Sequence, residues 1–179
     1  MLKNHLIDDV VCEIPVCEYQ ERLARTKERM KEENFDALII YSNPWHMSNV
    51  FWLSNFRAFD GISPDPALLI VPLEGEPTLF CEKPILPYAK DMTWIQDVRA
   101  VRPGFRQALE DMKRSGHYKS IGIVGAQYFA LEFYRIVAEV LGEDILKDTD
   151  LLYYLKAIKS ESEIHLMRNA ARLADQSLL

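Results

Sequence analysis

A chain of 179 residues, 49% hydrophobic and 27% charged, has a globular balance that excludes intrinsic disorder. It can bury about 70% of its unfolded surface without a disulfide or metal staple. A formal net charge of -6 argues against nucleic acid or an anionic membrane as the main partner, since both select basic patches. The longest uncharged stretch, from Leu38 up to Arg57, contains Asn, Ser, Pro and His and is no membrane span. Cys12, Cys17 and Cys81 form no CxxC pair and leave an odd thiol, while Asp8, Asp9 and Glu13 interrupt the apolar run a leader would need. These features predict a reducing, cytoplasmic setting.

In chain order, residues 1 to 17 show no clear period, and Ile14-Pro15-Val16 leads in extended form. From Glu18 to Asn34 the pattern is helical: Tyr19, Leu23, Thr26 and Met30 are spaced four, three and four, and interleaved charges make a solvated face. The apolar run Ala37 to Tyr41 follows at once and predicts a strand buried on both faces. Ser42-Asn43-Pro44 is a loop, and Val50 to Leu53 reads as a second, β-like run. On that reading Phe51 and Leu53 share one face, Val50 and Trp52 the other.

Pro64 and Pro66 isolate a strand over Ala67 to Val71; the turn Pro72 to Glu76 returns it through Thr78 to Phe80 as an antiparallel hairpin. Pro84 to Asp91 holds a short helix, and Trp94 to Val101 is strand-like. Pro103-Gly104 breaks the chain before a helical face of Phe105, Ala108, Leu109 and Met112 that closes at Gly116. Ser120 to Val124 is a third apolar strand. The helix after it, Ala130 to Leu141, stops at Gly142 in the position of a C-terminal cap. Ile145 to Lys147 is a short edge strand, and Thr149 or Asp150 caps a helix through Leu151, Leu152, Leu155 and Ile158. Finally, Ser160-Glu161-Ser162-Glu163 is a capping box. The helix it opens carries a stripe of Ile164, Met167, Ala171, Ala174 and Leu178 that must bury against something: its own domain, or a domain that the chain does not include. Helices alternating with buried strands predict an α/β domain with a mixed, twisted sheet flanked by helices.

Chemistry-bearing motifs are sparse. GxSxG, HExxH and paired CxxC are absent, and His5, His46, His117 and His165 are scattered, with no i, i+4 partner to share a metal. Asp8-Asp9 and Asp148-Thr149-Asp150 suit capping and solvation better than a hard metal. Gly122-Ile123-Val124-Gly125 lies where a phosphate loop would lie but has neither GxGxxG nor GK[ST]; close strand-to-helix packing explains its glycines more simply. One stretch, Phe35 to Gly61, stands out by holding Trp45, Trp52, Asn55, Phe56, Arg57, Phe59 and Asp60. Core packing accounts for most of its aromatics. Arg57 either pairs with Asp60 at the surface or offers its guanidinium fork to a ligand carboxylate.

The order of these pieces resembles the N-terminal domain of the creatinase, prolidase and aminopeptidase P ("pita-bread") metallohydrolases. Four stretches carry the resemblance. They are the opening helix from Tyr19 to Arg25 leading through Phe35 to Ile40, the segment Asn49-Val50-Phe51-Trp52-Leu53-Ser54-Asn55-Phe56, the strand Ile121 to Val124, and the linker Leu155 to Ile164 with Met167, Arg168, Ala170 and Ala171. The chain departs from the pattern at Asn55, where members often have Gly; Asn tolerates a left-handed backbone better than most residues.

The resemblance implies a creatinase/prolidase-like N-terminal domain over residues 1–158. Residues 159–179 would be the linker and first helix of a C-terminal catalytic domain not present in this chain. It implies no catalytic residue, no metal ligand and no cofactor here; a divalent metal pair (Mn, Co or Zn) would belong to that catalytic domain. The implied role is the dimerisation and active-site-rim domain of an Xaa-Pro peptidase- or creatinase-like hydrolase that cleaves an amide-type C–N bond. Trp52, Asn55, Phe56 and Arg57 would be the substrate rim. The implied partners are a second copy of the protein, in a homo-oligomer, and a small-molecule or dipeptide substrate, with neither nucleic acid nor membrane. The alternative is a non-catalytic protein- or peptide-binding module with the same fold. An ordered Asp, Asp, His, Glu, Glu set beyond Leu179 would decide for the enzyme.

Overall fold

A computed structural model of the chain describes residues 13–57 and 66–177. The expectations for His5, Asp8, Asp9, Cys12, Phe59, Asp60 and Leu178 fall outside the described residues. Six strands form one mixed sheet: β1 (Ala37–Ser42), β2 (Ala67–Pro72), β3 (Thr78–Cys81), β4 (Asp97–Ala100), β5 (Ile121–Val124) and β6 (Leu146–Asp148), in the order β4-β3-β2-β1-β5-β6. β1, β5 and β6 run parallel, as do β3 and β4, while β1–β2 and β2–β3 are antiparallel. In the central register Ile39 stands between Ile70 and Ile123.

The described residues form seven α-helices, α1 (Val16–Glu32), α2 (Ser48–Ser54), α3 (Leu86–Met92), α4 (Val101–Ser115), α5 (Leu131–Leu141), α6 (Leu151–Ala157) and α7 (Glu161–Ser177), of which α1 to α6 contribute to the core on the two faces of the sheet. Strand alternation sorts the core into two layers. Leu38, Ile40, Leu69, Val71 and Leu79 pack with Leu23 and Met30 of α1, Val50 and Leu53 of α2, and Leu151 and Leu152 of α6. On the other face Ile39, Tyr41, Leu68, Ile70 and Phe80 meet Phe105 and Leu109 of α4 and Phe133 and Val137 of α5. β1 is buried along its whole length, as a strand covered on both faces must be. At Gly122 a Cβ would stand 2.5 Å from a Leu38 methyl and 2.9 Å from a Thr149 methyl, so this glycine sets how closely β5 packs.

One expectation is corrected. Val50 to Leu53 is not a strand but part of α2. Asn43 turns the chain by accepting from the backbone N–H groups of Trp45 and His46 at 3.0 and 2.9 Å, and the Ser42 hydroxyl accepts from Val50 N–H at 3.1 Å. The run then buries with helical spacing: Val50, Leu53 and Ser54 face inward while Phe51 is 40% exposed. A four-residue apolar run is too short for its composition to separate strand from helix. Two smaller differences concern the strand expected from Trp94, which pairs only over Asp97–Ala100, and α4, which begins ahead of Pro103 but has an extended Arg102 inside it (φ -113, ψ 119).

The capping box forms in both directions: Glu163 N–H donates to the Ser160 hydroxyl at 3.1 Å, and Ser160 N–H to the Glu163 carboxylate at 2.8 Å. Beyond it the α7 stripe is open. Met167 is 60% exposed, Ala171 and Ala174 are exposed, and Asn169 is the buried residue of the helix.

Candidate functional site

α2 and the loop after it present the predicted rim residues, and they differ in kind. Trp52 is buried: its indole N–H donates to Glu163 at 3.2 Å, and its carbonyl accepts from Arg22 at 2.9 Å. Asn55 ends α2 in the left-handed conformation (φ 62, ψ 4). Its side chain is stitched on both sides, Oδ1 accepting from the Tyr19 hydroxyl at 2.9 Å and Nδ2 donating to the Met92 carbonyl at 3.1 Å. Phe56 is 1% exposed, with its ring 6.3 Å from that of Tyr88. Arg57 is exposed. Three of the four residues therefore hold the loop in place, and Arg57 is the one the loop presents to solvent.

Behind that loop lies a charge cluster that sequence reading treated as part of a solvated helix face. Arg22 of α1 is 3% exposed, with its guanidinium carbon 5.1 Å from both the Tyr19 and the Trp52 ring centroids. It pairs with Glu18 at 2.5 Å and with Glu163 at 3.2 Å, and the Ser160 hydroxyl also donates to Glu18 at 2.6 Å. Burial pushes the Glu18 carboxyl up, but hydrogen bonds from Ser160, Ser162 and Arg22 outweigh it and hold the pKa below the usual carboxylate range. The cluster ties α1, the C-terminal half of α2 and the start of α7 to one another. Its i, i+4 spacing on α1 was visible in the sequence; Glu163, 141 positions from Arg22, was not.

A cleft of about 360 Å³ opens beyond the carboxyl ends of β1, β5 and β6, walled by Trp45, His46, Asn49, Gly125, Tyr128 and Tyr153, with Lys156 at its side. Lys156 of α6 donates to the Ser48 hydroxyl at 3.1 Å and to Asn49 Oδ1. Asn49 is held in turn by donating through Nδ2 to the Tyr128 hydroxyl at 2.6 Å, and the Tyr128 ring stacks on His46 with centroids 4.3 Å apart. Burial, with a smaller contribution from nearby Lys159, lowers the Lys156 pKa. None of this was legible as a site, because Lys156 meets its partners across more than a hundred residues.

Among the described residues there is no group of three or more His, Cys, Asp or Glu that could hold a metal ion. Nor, among the described residues, is any helix long and apolar enough to cross a membrane.

Fold and sequence together define a layered α/β domain with a mixed sheet. The family model described as the Creatinase/Prolidase N-terminal domain matches residues 22–155, and the chain belongs to that family. A curated relative from Sinorhizobium fredii, described as an uncharacterized hydrolase/peptidase, is 27% identical over 178 residues, covering 90% of this chain and 43% of its own length. Among solved structures, the prolidase from Pyrococcus horikoshii superposes with a TM-score of 0.68 at 24% identity, over 88% of this chain and 41% of its own. The Xaa-Pro dipeptidase from Bacillus anthracis gives 0.69 at 14% identity, over 89% and 42%. At these identities the two structures show a shared fold. The chain spans less than half the length of each of these proteins.

Proposed function

We propose that this chain is the non-catalytic N-terminal domain of an Xaa-Pro peptidase- or creatinase-like hydrolase. Residues 1–158 form the domain, and residues 159–179 form the linker and first helix of a catalytic domain. The observation that carries the reading is the family match over residues 22–155, in a chain whose described residues offer no metal-binding group. A water-activating divalent pair (Mn, Co or Zn) and the hydrolysis of a dipeptide or other small amide would then belong to the catalytic domain. The exposed apolar side of α7 would pack there, and dimerisation would set this domain beside a neighbouring active site, in a cytoplasmic protein.

In this reading Trp52, Asn55 and Phe56 hold the rim loop and Arg57 faces the substrate, where its planar fork suits a carboxylate. The test is Arg57→Ala in the natural protein that contains this chain, assayed on Xaa-Pro dipeptides. KM should rise about tenfold or more with kcat little changed, since a hydrogen-bonded charge pair is lost. An unchanged kcat/KM would remove Arg57 from the site.

The second reading, a protein- or peptide-binding module, draws support from exposed apolar side chains such as Trp45 at 74%, Phe51, Tyr153, Tyr154 and Ile158. It predicts that the natural protein hydrolyses no dipeptide with any of the three metals.

A further inference from the structure

We infer that the cleft at Lys156 binds a small monocarboxylate with a flat, apolar body. This goes beyond the rim reading and uses none of Trp52, Asn55, Phe56 or Arg57.

The Lys156 ammonium is partly withdrawn from water, yet its partners are two neutral oxygens, on Ser48 and Asn49; among the described residues it makes no ion pair with a carboxylate. Withdrawing an ammonium from water even in part costs hydration, and a facing negative charge offsets that cost best. An ammonium has three N–H donors; two are used, and the third is left for a ligand.

Position supports the same conclusion. The cleft lies outside the carboxyl ends of three parallel strands, where open α/β sheets place their ligands. Its volume, about 360 Å³, falls in the range of small-molecule sites. The polar groups are also pre-arranged: Asn49 is fixed by Tyr128, and Tyr128 by its stack on His46. Gly125 (φ +84) leaves room for the Tyr128 ring, which a Cβ there would meet at 2.7 Å.

The wall composition narrows the ligand. One ammonium matches one negative charge. Asp148 and Asp150 also line the cleft, so a phosphate dianion would meet more repulsion there than a monocarboxylate. Trp45, Tyr153 and the His46–Tyr128 stack supply flat apolar surface for the rest of the molecule.

Sodium benzoate is a direct probe, titrated into the 15N-labelled 179-residue chain and followed by amide and indole chemical shifts. Benzyl alcohol and inorganic phosphate serve as the neutral and dianionic comparators. Benzoate should give saturable shifts at Trp45, His46, Asn49 and Gly125, and the two comparators should not. Lys156→Met should raise the benzoate Kd about tenfold, as expected for losing one charge-assisted hydrogen bond. Asn49→Asp places an internal carboxylate against Lys156 and should weaken benzoate similarly; it decides the matter if Lys156→Met does not fold. No saturable response to benzoate, benzyl alcohol or phosphate binding as tightly, or an unchanged Kd in the folded variants would overturn the inference.

Discussion

At the scale of single residues, Asn55 explains most about the loop after α2. Its left-handed backbone closes α2, and its side chain fastens that closure to Tyr19 on α1 and to the end of α3. Asn55→Gly should keep the turn and lose the two hydrogen bonds, costing about 1–2 kcal/mol. Asn55→Ala should cost about 1 kcal/mol more, because a Cβ without a local hydrogen bond strains the left-handed region. Urea denaturation of both variants checks the order; equal stabilities would mean that the backbone conformation is not what Asn55 supplies. Arg22 is the other decisive residue. Arg22→Met leaves Glu18 and Glu163 facing each other without a cation and should cost about 3 kcal/mol, lowering Tm by roughly 6–12 °C for a chain of this size.

The same cluster gives the fold a pH dependence. The Glu18 pKa is lowered in the folded chain relative to the ordinary value of 4.5. Its stabilising contribution is therefore fully present above the ordinary value and disappears as pH falls through the lowered one. Ser160→Ala, which removes a hydrogen bond to Glu18, should make this acid-side loss smaller in thermal melts taken from pH 6 downward, about the pH range that the carboxylate governs.

At the scale of elements, Ser160→Ala also removes the N-cap of α7 and should cost about 1 kcal/mol. Amide exchange should accelerate in the first turn of α7 while β1 and β5 keep their protection; uniform acceleration would instead mean that α7 unfolds only with the whole domain. Elements with strong local signals were legible in the sequence. The α1 stripe of Tyr19, Leu23, Thr26 and Met30 is buried as its spacing requires, the β2–β3 hairpin follows its proline-bounded turn, and the capping box at Ser160 closes on Glu163. α2 was not legible, because Val50 to Leu53 is short, apolar and rich in residues that also favour strands. What fixes it as a helix is the Asn43 turn and its docking on β1, neither of which is a property of those four residues. The Lys156 cleft was hidden for a related reason. It is assembled from α2, the loop after β5 and α6, which only the parallel pairing of β1, β5 and β6 brings together.

At the scale of the whole molecule, the chain reads as a layered α/β domain with a helix that extends its apolar side away from the described core. Met167, Ala171 and Ala174 on that side are exposed. In the proposed hydrolase a catalytic domain would cover them. Without one, the 179-residue chain should self-associate with rising concentration in sedimentation equilibrium, and Met167→Lys with Ala171→Glu should suppress it. A strictly monomeric chain would mean that these side chains need no cover.

On the proposed function, this domain shapes a site whose chemistry is performed elsewhere. The most direct measurement is the rate of Xaa-Pro dipeptide hydrolysis by the purified 179-residue chain with added Mn²⁺. The account predicts a rate equal to that of buffer with Mn²⁺ alone. Saturable, protein-dependent cleavage of the dipeptide would contradict it.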